Sequence, residues 1–213
     1  MKTSGRRRRY TSEARTQSAL ETRHRILAAA AILFARKGID RVTIDEIGRR
    51  AKVAASTVYA TFKSKDGILR GLMERSLFGP QFQEAQKQLV GVTDPVALIV
   101  LTSRVSRAIY ESESSDLGLL RHASGFSPAL RKMEEEFERI RYEKQAARLE
   151  LLFASGKARP GLSLEEARRI LWMYTSRDVY RMLVHDGGWT ADRYQQWLAR
   201  TLVEALVAPP PGG

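Results

Sequence analysis

An all-helical chain of two domains is what this sequence predicts, and three observations carry the prediction. Apolar residues recur at helical spacing through most of the length. Between Thr43 and Phe62 the period breaks once and resumes at once, so two very short helices share one tight turn. Positive charge is confined to the first third: residues 1–70 hold 17 Lys plus Arg against 6 Asp plus Glu, net +11, whereas residues 71–213 hold 19 against 18, net +1. Hydrophobic residues make up 43% of the chain, enough to bury a core.

Composition also excludes. With no cysteine there are no disulfides, thiolate nucleophiles or Cys-based zinc sites, which fits a reducing cytoplasm. The apolar run Pro95 to Leu101 is far below the roughly 18 residues of a membrane span, so no membrane partner is expected. Polar residues follow Arg6–Arg9 where an export signal would place an apolar stretch, so a cytoplasmic location is expected. DNA affinity comes largely from phosphate neutralisation, and a basic module holding a helix pair therefore reads as a DNA-binding unit.

Taken in order, residues 1–13 lack apolar periodicity and read as a basic, disordered arm. Its Arg6–Arg9 run is either an arm along phosphates or in a minor groove, or a solubilising tail without a defined contact. From about Thr16 to Lys37, Leu20, Ile26, Leu27, Ala30, Leu33 and Phe34 define a first helix that Gly38 ends. Next, Ile44, Ile47 and Ala51 at i, i+3 and i+7 mark a short helix with Thr43 at its N-cap. Lys52 and Val53 leave room only for a turn before Val58 and Phe62 mark a second helix, which is the geometry of a helix-turn-helix over 43–62. That second helix exposes the slim residues Ala55, Ser56, Thr57, Ala60 and Thr61, with Tyr59 and Lys63 beside them. A major groove admits such a surface. Ser64 is the expected N-cap of a helix running through Ile68, Leu69, Leu72 and Leu77 to about Phe78, with Lys65 in its first turn, and Gly79-Pro80 is the expected domain boundary.

The segment Ile26 to Leu69, with its Leu33-Phe34 and Lys37-Gly38 pairs, Val42-Thr43-Ile44 and the run TVYATFKSKDGIL, resembles the DNA-binding domain of the TetR/AcrR repressors. The resemblance implies that residues 14–78 form such a domain, that Thr43 and Tyr59 touch phosphates, that Ala55, Ser56 and Thr57 face base edges, and that Lys65 anchors the next helix to the DNA backbone. Two positions depart from the pattern. Lys52 stands where a turn glycine is common, and a left-handed conformation there would cost about 1 kcal/mol. Ala54 stands where the second helix usually has a capping serine, a loss of about 1 kcal/mol unless Ser56 caps instead.

Residues 79–207 read as helix after helix: about Phe82 to Val90; Asp94 capping a segment to about Glu111; about Leu117 to Ala123; and a long helix with Pro128 in its first turn, reaching about Ser155. A capping box of Ser163 and Glu166 opens a helix expected to reach His185, where Asp186-Gly187-Gly188 stops it. Thr190 or Asp192 opens the last helix, and 208–213, with three prolines, read as a flexible tail. Trp172, Tyr180, Tyr194, Trp197, Leu198, Thr201, Leu202 and Ala205 lie on apolar stripes that either pack within the chain or form a dimer interface. The resemblance favours the interface, since TetR-like regulators pair through their last two long helices. Arg104, Tyr110, His122, Phe126, Phe137, Tyr142, Trp172, Tyr174 and Asp178 are amphipathic or ionisable residues among apolar ones. They suit either a pocket for a small-molecule effector or an ordinary core with polar edges.

No catalytic constellation is found: His185-Asp186 lacks further ligands, His24 and His122 lie elsewhere, and the Glu134, Glu135, Glu136 and Glu138 run pairs with neighbouring cations along a helix. Neither a metal site nor a cofactor motif is present. The expected fold is therefore a three-helix, helix-turn-helix DNA-binding domain followed by a helical ligand-binding and dimerisation domain. The expected function is a homodimeric, ligand-released repressor on a pseudo-palindromic operator in double-stranded DNA. The alternatives are an activator of the same fold and a sequence-nonspecific, nucleoid-type DNA binder.

Overall fold

Arginines are good helix formers, and a nucleated helix lengthens at little cost, which decides how the chain begins. The computed structural model describes residues 4–112 and 128–209, and its first helix, α1, runs Ser4–Lys37. The helix therefore starts well before Thr16, and from Ser4 onward the segment read as a disordered arm is helical. Gly38 closes α1 with φ 79°. Ile26, Leu27, Ala30 and Phe34 are buried as their spacing requires, whereas Leu20 lies beyond that core and is 54% exposed.

Two short helices and a longer one complete this part: α2 Ile44–Ala51, α3 Ala55–Phe62 and α4 Lys65–Leu77. Ile47, Val58, Ile68 and Leu69 are fully buried, so each short helix is held by packing and not by its own length. Ser64 caps α4 as expected, its hydroxyl accepting from the Gly67 N–H at 3.0 Å. One compact unit runs to Glu74 and a second begins at Arg75, inside α4 and ahead of the expected Gly79-Pro80 boundary.

The second unit contains α5 Pro80–Lys87, α6 Pro95–Ser112, α7 Pro128–Ala154 from Lys132 onward, α8 Leu164–Tyr174, α9 Arg177–Tyr180, a π-helical turn Arg181–Asp186, and α10 Ala191–Leu206. Asp94 caps α6, accepting from Ala97 at 3.0 Å, and Thr190, not Asp192, caps α10. The Ser163–Glu166 capping box forms in full. Its helix, however, stops at Tyr174, well short of His185. Thr175 turns its hydroxyl back onto the Leu171 carbonyl at 2.6 Å, and Ser176 caps the next short helix. The expected helix near Leu117 to Ala123 lies outside the described residues.

α10 packs against α6 and α8, burying Tyr194, Leu198, Leu202 and Leu206 together with Ile99, Leu149 and Leu171. The C-terminal segment is pinned where it leaves α10: Ala158 and Val207 form a bridge, and Ala208 donates to the Lys157 carbonyl at 2.9 Å. Ala208 therefore does not belong to a loose tail, and residues 210–213 lie outside the described residues. Among the described residues there is no strand, and no helix is long and apolar enough to cross a membrane.

Candidate functional site

The helix-turn-helix is built from its first cap. Thr43 accepts from the Glu46 N–H at 3.2 Å, and the Glu46 carboxylate accepts from the Thr43 N–H at 3.0 Å, so a reciprocal capping box starts α2. Glu46 was legible in the spacing Thr-x-x-Glu, although only Thr43 is singled out above. The Glu46 carboxylate also receives Lys37 Nζ at 2.6 Å, which ties α2 to the end of α1. These contacts, the Lys37 bond first and the Thr43 N–H next, hold the Glu46 carboxyl at about 2 against an ordinary 4.5. A depressed carboxyl pKa stabilises the fold fully above the unfolded value, and that contribution is lost as pH falls through the folded one. Unfolding followed between pH 4.5 and 2 should show wild type losing stability over this window, and Glu46→Gln losing less.

Lys52 adopts the left-handed conformation, φ 57° and ψ 46°, and closes α2 with its N–H on the Arg49 and Gly48 carbonyls. Ala54, at φ −66° and ψ 148°, occupies the N-cap of α3 with no side-chain bond, and Ser56 does not substitute for it. Both departures are therefore real deficits in a turn of ordinary shape. Lys52→Gly and Ala54→Ser are each expected to stabilise the chain by about 0.5–1 kcal/mol, the first by removing the Cβ strain and the second by capping. Urea unfolding midpoints check this, and a lower midpoint for either variant contradicts the assigned geometry.

On α3, Val58 and Phe62 are the buried side chains, and the Arg23 guanidinium lies over the Phe62 ring at 4.6 Å. The opposite face presents Ser56, Tyr59 and Ala60, all exposed, with Tyr59 at 53%; Ala55 and Thr57 are half-buried beside them. Thr61 is less free than its spacing implies, because its hydroxyl donates to the Thr57 carbonyl at 2.8 Å. Lys63 is exposed and ends α3 with φ 64°. Thr43 is exposed at the start of α2. Lys65 is engaged within the protein: its ammonium donates to the Asp40 and Val42 carbonyls at 3.2 and 3.4 Å, fastening α4 to the loop before α2. Of the expected contacts, Ser56, Thr57, Tyr59 and Ala55 share one helix and its outer surface, whereas Lys65 carries a structural bond as well.

The effector candidates do not form one group. Arg104 is exposed and bonds Gln88, and Asp178 is exposed with Arg181 at 3.9 Å, so neither faces the interior. Tyr174 stacks edge-on against Trp197 at 6.0 Å. Tyr142 donates to Glu165 at 3.0 Å beneath the Arg168 guanidinium and meets Trp172 edge-on at 6.3 Å. Tyr110 is buried and donates to the Thr175 carbonyl at 2.9 Å. His122 and Phe126 lie outside the described residues. Phe137, half-buried, packs on Phe78 at 5.6 Å.

Thr175, which is not among the expected site residues, is the hub of a buried polar cluster in the second unit. Its carbonyl also accepts from Arg141 at 3.3 Å, and its hydroxyl accepts from Arg141 and from Gln145 Nε2, both at 2.8 Å. Ser106 links the cluster to the buried Tyr194 hydroxyl at 3.0 Å. The signal was available: Arg141, Gln145 and Arg148 fall at i, i+4 and i+7, polar residues on the face that also carries Leu149 and Leu152.

The dimer candidates divide by burial. Tyr180, Tyr194, Leu198 and Leu202 are buried in the chain's own core, so the stripe that reads as an interface is largely consumed by α6 and α8. Trp172, Trp197, Thr201 and Ala205 are half-buried. Met173 and Met182, not singled out from the sequence, are 47% and 50% exposed. His185 stacks edge-on against Tyr180 at 5.6 Å while Asp186 pairs with Arg181 at 2.5 Å. Among the described residues no group of His, Cys, Asp or Glu is arranged to hold a metal.

Comparison with known proteins places these features. The model of the bacterial regulatory proteins of the tetR family matches residues 26–72. The HTH-type transcriptional regulator HbdR of Aromatoleum sp. (strain CIB) is 40% identical over 76 residues, 36% of this chain and 33% of that protein. The chain thus spans about a third of that relative. An uncharacterized HTH-type transcriptional regulator of Mycobacterium tuberculosis (strain ATCC 25618 / H37Rv) is 30% identical over 167 residues, 72% of this chain and 76% of the relative. In fold, the chain is similar to NalD, the secondary repressor of the MexAB-OprM multidrug efflux pump in Pseudomonas aeruginosa, with a TM-score of 0.67 and 22% identity. That match covers 90% of this chain and 98% of NalD.

Proposed function

The chain belongs to the TetR family of bacterial regulatory proteins, and from that membership we propose that it is a cytoplasmic, DNA-binding transcriptional repressor that acts as a homodimer and is released by a small-molecule effector. One observation carries the DNA-binding part: Val58 and Phe62 anchor α3 while Ser56, Tyr59 and Ala60 stand exposed on its other face, in the part of the chain with net charge +11. Slim side chains let the helix approach base edges, and the hydroxyls of Thr43 and Tyr59 with the Lys63 ammonium reach phosphates.

Two such helices related by a two-fold axis would read a pseudo-palindromic site, which is the reason for the dimer. The exposed Met173 and Met182 support an interface near α8 and the π-helical turn. An effector in the second unit releases DNA only if it prefers a subunit arrangement with the wrong spacing between recognition helices, because equal affinity for both arrangements shifts nothing. The buried Gln145 Oε1 and Trp172 N–H, both without a partner, support a binding role for that unit.

Selection of binding sites from random DNA is expected to return an inverted repeat. Sites without a repeat, or no preference at all, would support the nucleoid-type reading instead. Sedimentation of the 24.0 kDa chain only as a monomer at micromolar concentration would overturn the dimer. Transcription from a promoter carrying the selected site separates repressor from activator.

A further inference from the structure

Arg148, half-buried on α7, is the anomaly of the second unit. Its guanidinium donates to Thr102 Oγ1 at 3.2 Å, and among the described residues no carboxylate pairs with it. Arg107 and Arg141 in the same unit behave differently, with Glu111 at 2.8 Å and Glu138 at 2.6 Å respectively. Burial pulls the Arg148 guanidinium below its ordinary range, so a charge is being held in a place that disfavours it.

One turn away stands a second unanswered group. Gln145 is buried, and its Nε2 donates to Thr175 Oγ1 at 2.8 Å. Thr175 gives its single hydroxyl hydrogen to the Leu171 carbonyl at 2.6 Å, so it can only accept from Gln145. The amide therefore cannot be turned over, and Gln145 Oε1 is left buried without a donor. The Trp172 indole N–H is buried without an acceptor as well, its ring 5.4 Å from the Arg141 guanidinium.

We propose that Arg148, positioned by Thr102, and Gln145 bind the head group of the effector, and that this effector is an amphipathic carboxylic acid carrying a hydroxyl or amide N–H close to the acid. The proposal rests on the ligand-responsive reading of the second unit. The carboxylate supplies the missing counter-charge, accepting from Arg148, while Thr102, whose one hydroxyl hydrogen goes to the Leu98 carbonyl at 2.9 Å, goes on accepting from the guanidinium and fixes its position. The adjacent donor answers Gln145 Oε1. A water molecule would satisfy Gln145 but leave Arg148 unneutralised. A phosphate dianion would bring one charge more than a single guanidinium answers, whereas a planar carboxylate matches it in charge and shape. The apolar body follows from the residues one or two turns along the same helices, Ile99 before Thr102 on α6 and Leu149 and Leu152 after Gln145 on α7, which belong to one apolar cluster.

The probes are decanoate, 3-hydroxydecanoate and salicylate, each beside its methyl ester, tested on the full chain by Tm and by tryptophan fluorescence. At least one hydroxylated acid is expected to bind about 10- to 100-fold more tightly than its ester. Arg148→Met should reduce that acid to the level of the ester, with Arg148→Lys between the two. In the absence of any probe, Arg148→Met should raise Tm, because an apolar side chain replaces a half-buried charge that has no carboxylate partner. A lower Tm for ligand-free Arg148→Met, together with equal binding of acids and esters, overturns the assignment. If esters bind and weaken operator affinity while acids do not, the head-group assignment falls and the ligand-responsive reading stands. If no probe shifts Tm and Arg148→Met lowers it, the head-group assignment falls.

Discussion

Thr175→Val is expected to destabilise the chain by about 2–3 kcal/mol, although it keeps the volume and the β-branched shape of the side chain. The hydroxyl it removes accepts from Gln145 and Arg141 at 2.8 Å each and donates to Leu171 at 2.6 Å. Arg141 keeps Glu138 and the Trp172 carbonyl, at 2.6 and 3.0 Å. Gln145 keeps neither end of its amide, since Oε1 is already without a partner. A buried donor left unmade carries its full desolvation penalty, and this outweighs the small gain from an extra methyl. Thr175→Ser retains the hydroxyl and should recover most of the loss. Urea midpoints of the three proteins decide the matter, and equal midpoints for Val and Ser would show that the cluster contributes nothing to stability.

Tyr59→Ala is expected to weaken binding to operator and random DNA alike by about 1–3 kcal/mol, while Thr57→Ala changes which operator variants are preferred. Tyr59 is 53% exposed, so folding should be unaffected, and its loss reads out on binding alone. Because the side chain is uncharged, the slope of log affinity against log salt should stay as in wild type. Titrations of each variant against the selected site, its single-base variants and unrelated duplex DNA make the comparison. Uniform weakening from Thr57→Ala, or a changed base preference from Tyr59→Ala, would contradict the division of roles.

The DNA-binding unit was the more legible half because its information is local. Caps at Thr43 and Ser64, the stop at Gly38, and the spacing of Val58 and Phe62 each depend on residues within a turn or two, and all are found as their spacing implies. The strained turn at Lys52 and the missing cap at Ala54 were visible for the same reason. Lys65 shows the limit: its position in α4 was evident, but its bonds to the Asp40 and Val42 carbonyls join residues more than twenty apart.

In the second unit, helix periodicity and the caps at Asp94 and Ser163 stood in the sequence, with Thr190 as one of two candidates beside Asp192, while the use of each apolar stripe did not. A stripe reads the same whether its partner is a helix of its own chain or of a second copy, and burial shows that Tyr194, Leu198 and Leu202 met the former. The break at Thr175 was equally hidden, because a threonine inside a helical pattern is ordinary until Ser106, Tyr110, Arg141 and Gln145 arrive from other helices to hold it.

The order of amino acids thus determined the helix-turn-helix, the family, and the caps at Thr43, Ser64, Asp94 and Ser163, all consequences of patterns within a few residues. Which face each helix buries, where the eighth helix ends, and how Arg148 comes to lie beside Thr102 without a counter-charge depended on tertiary packing. Those outcomes rest on hydrogen bonds and apolar contacts between residues 30 to 90 positions apart, and no local pattern encodes them.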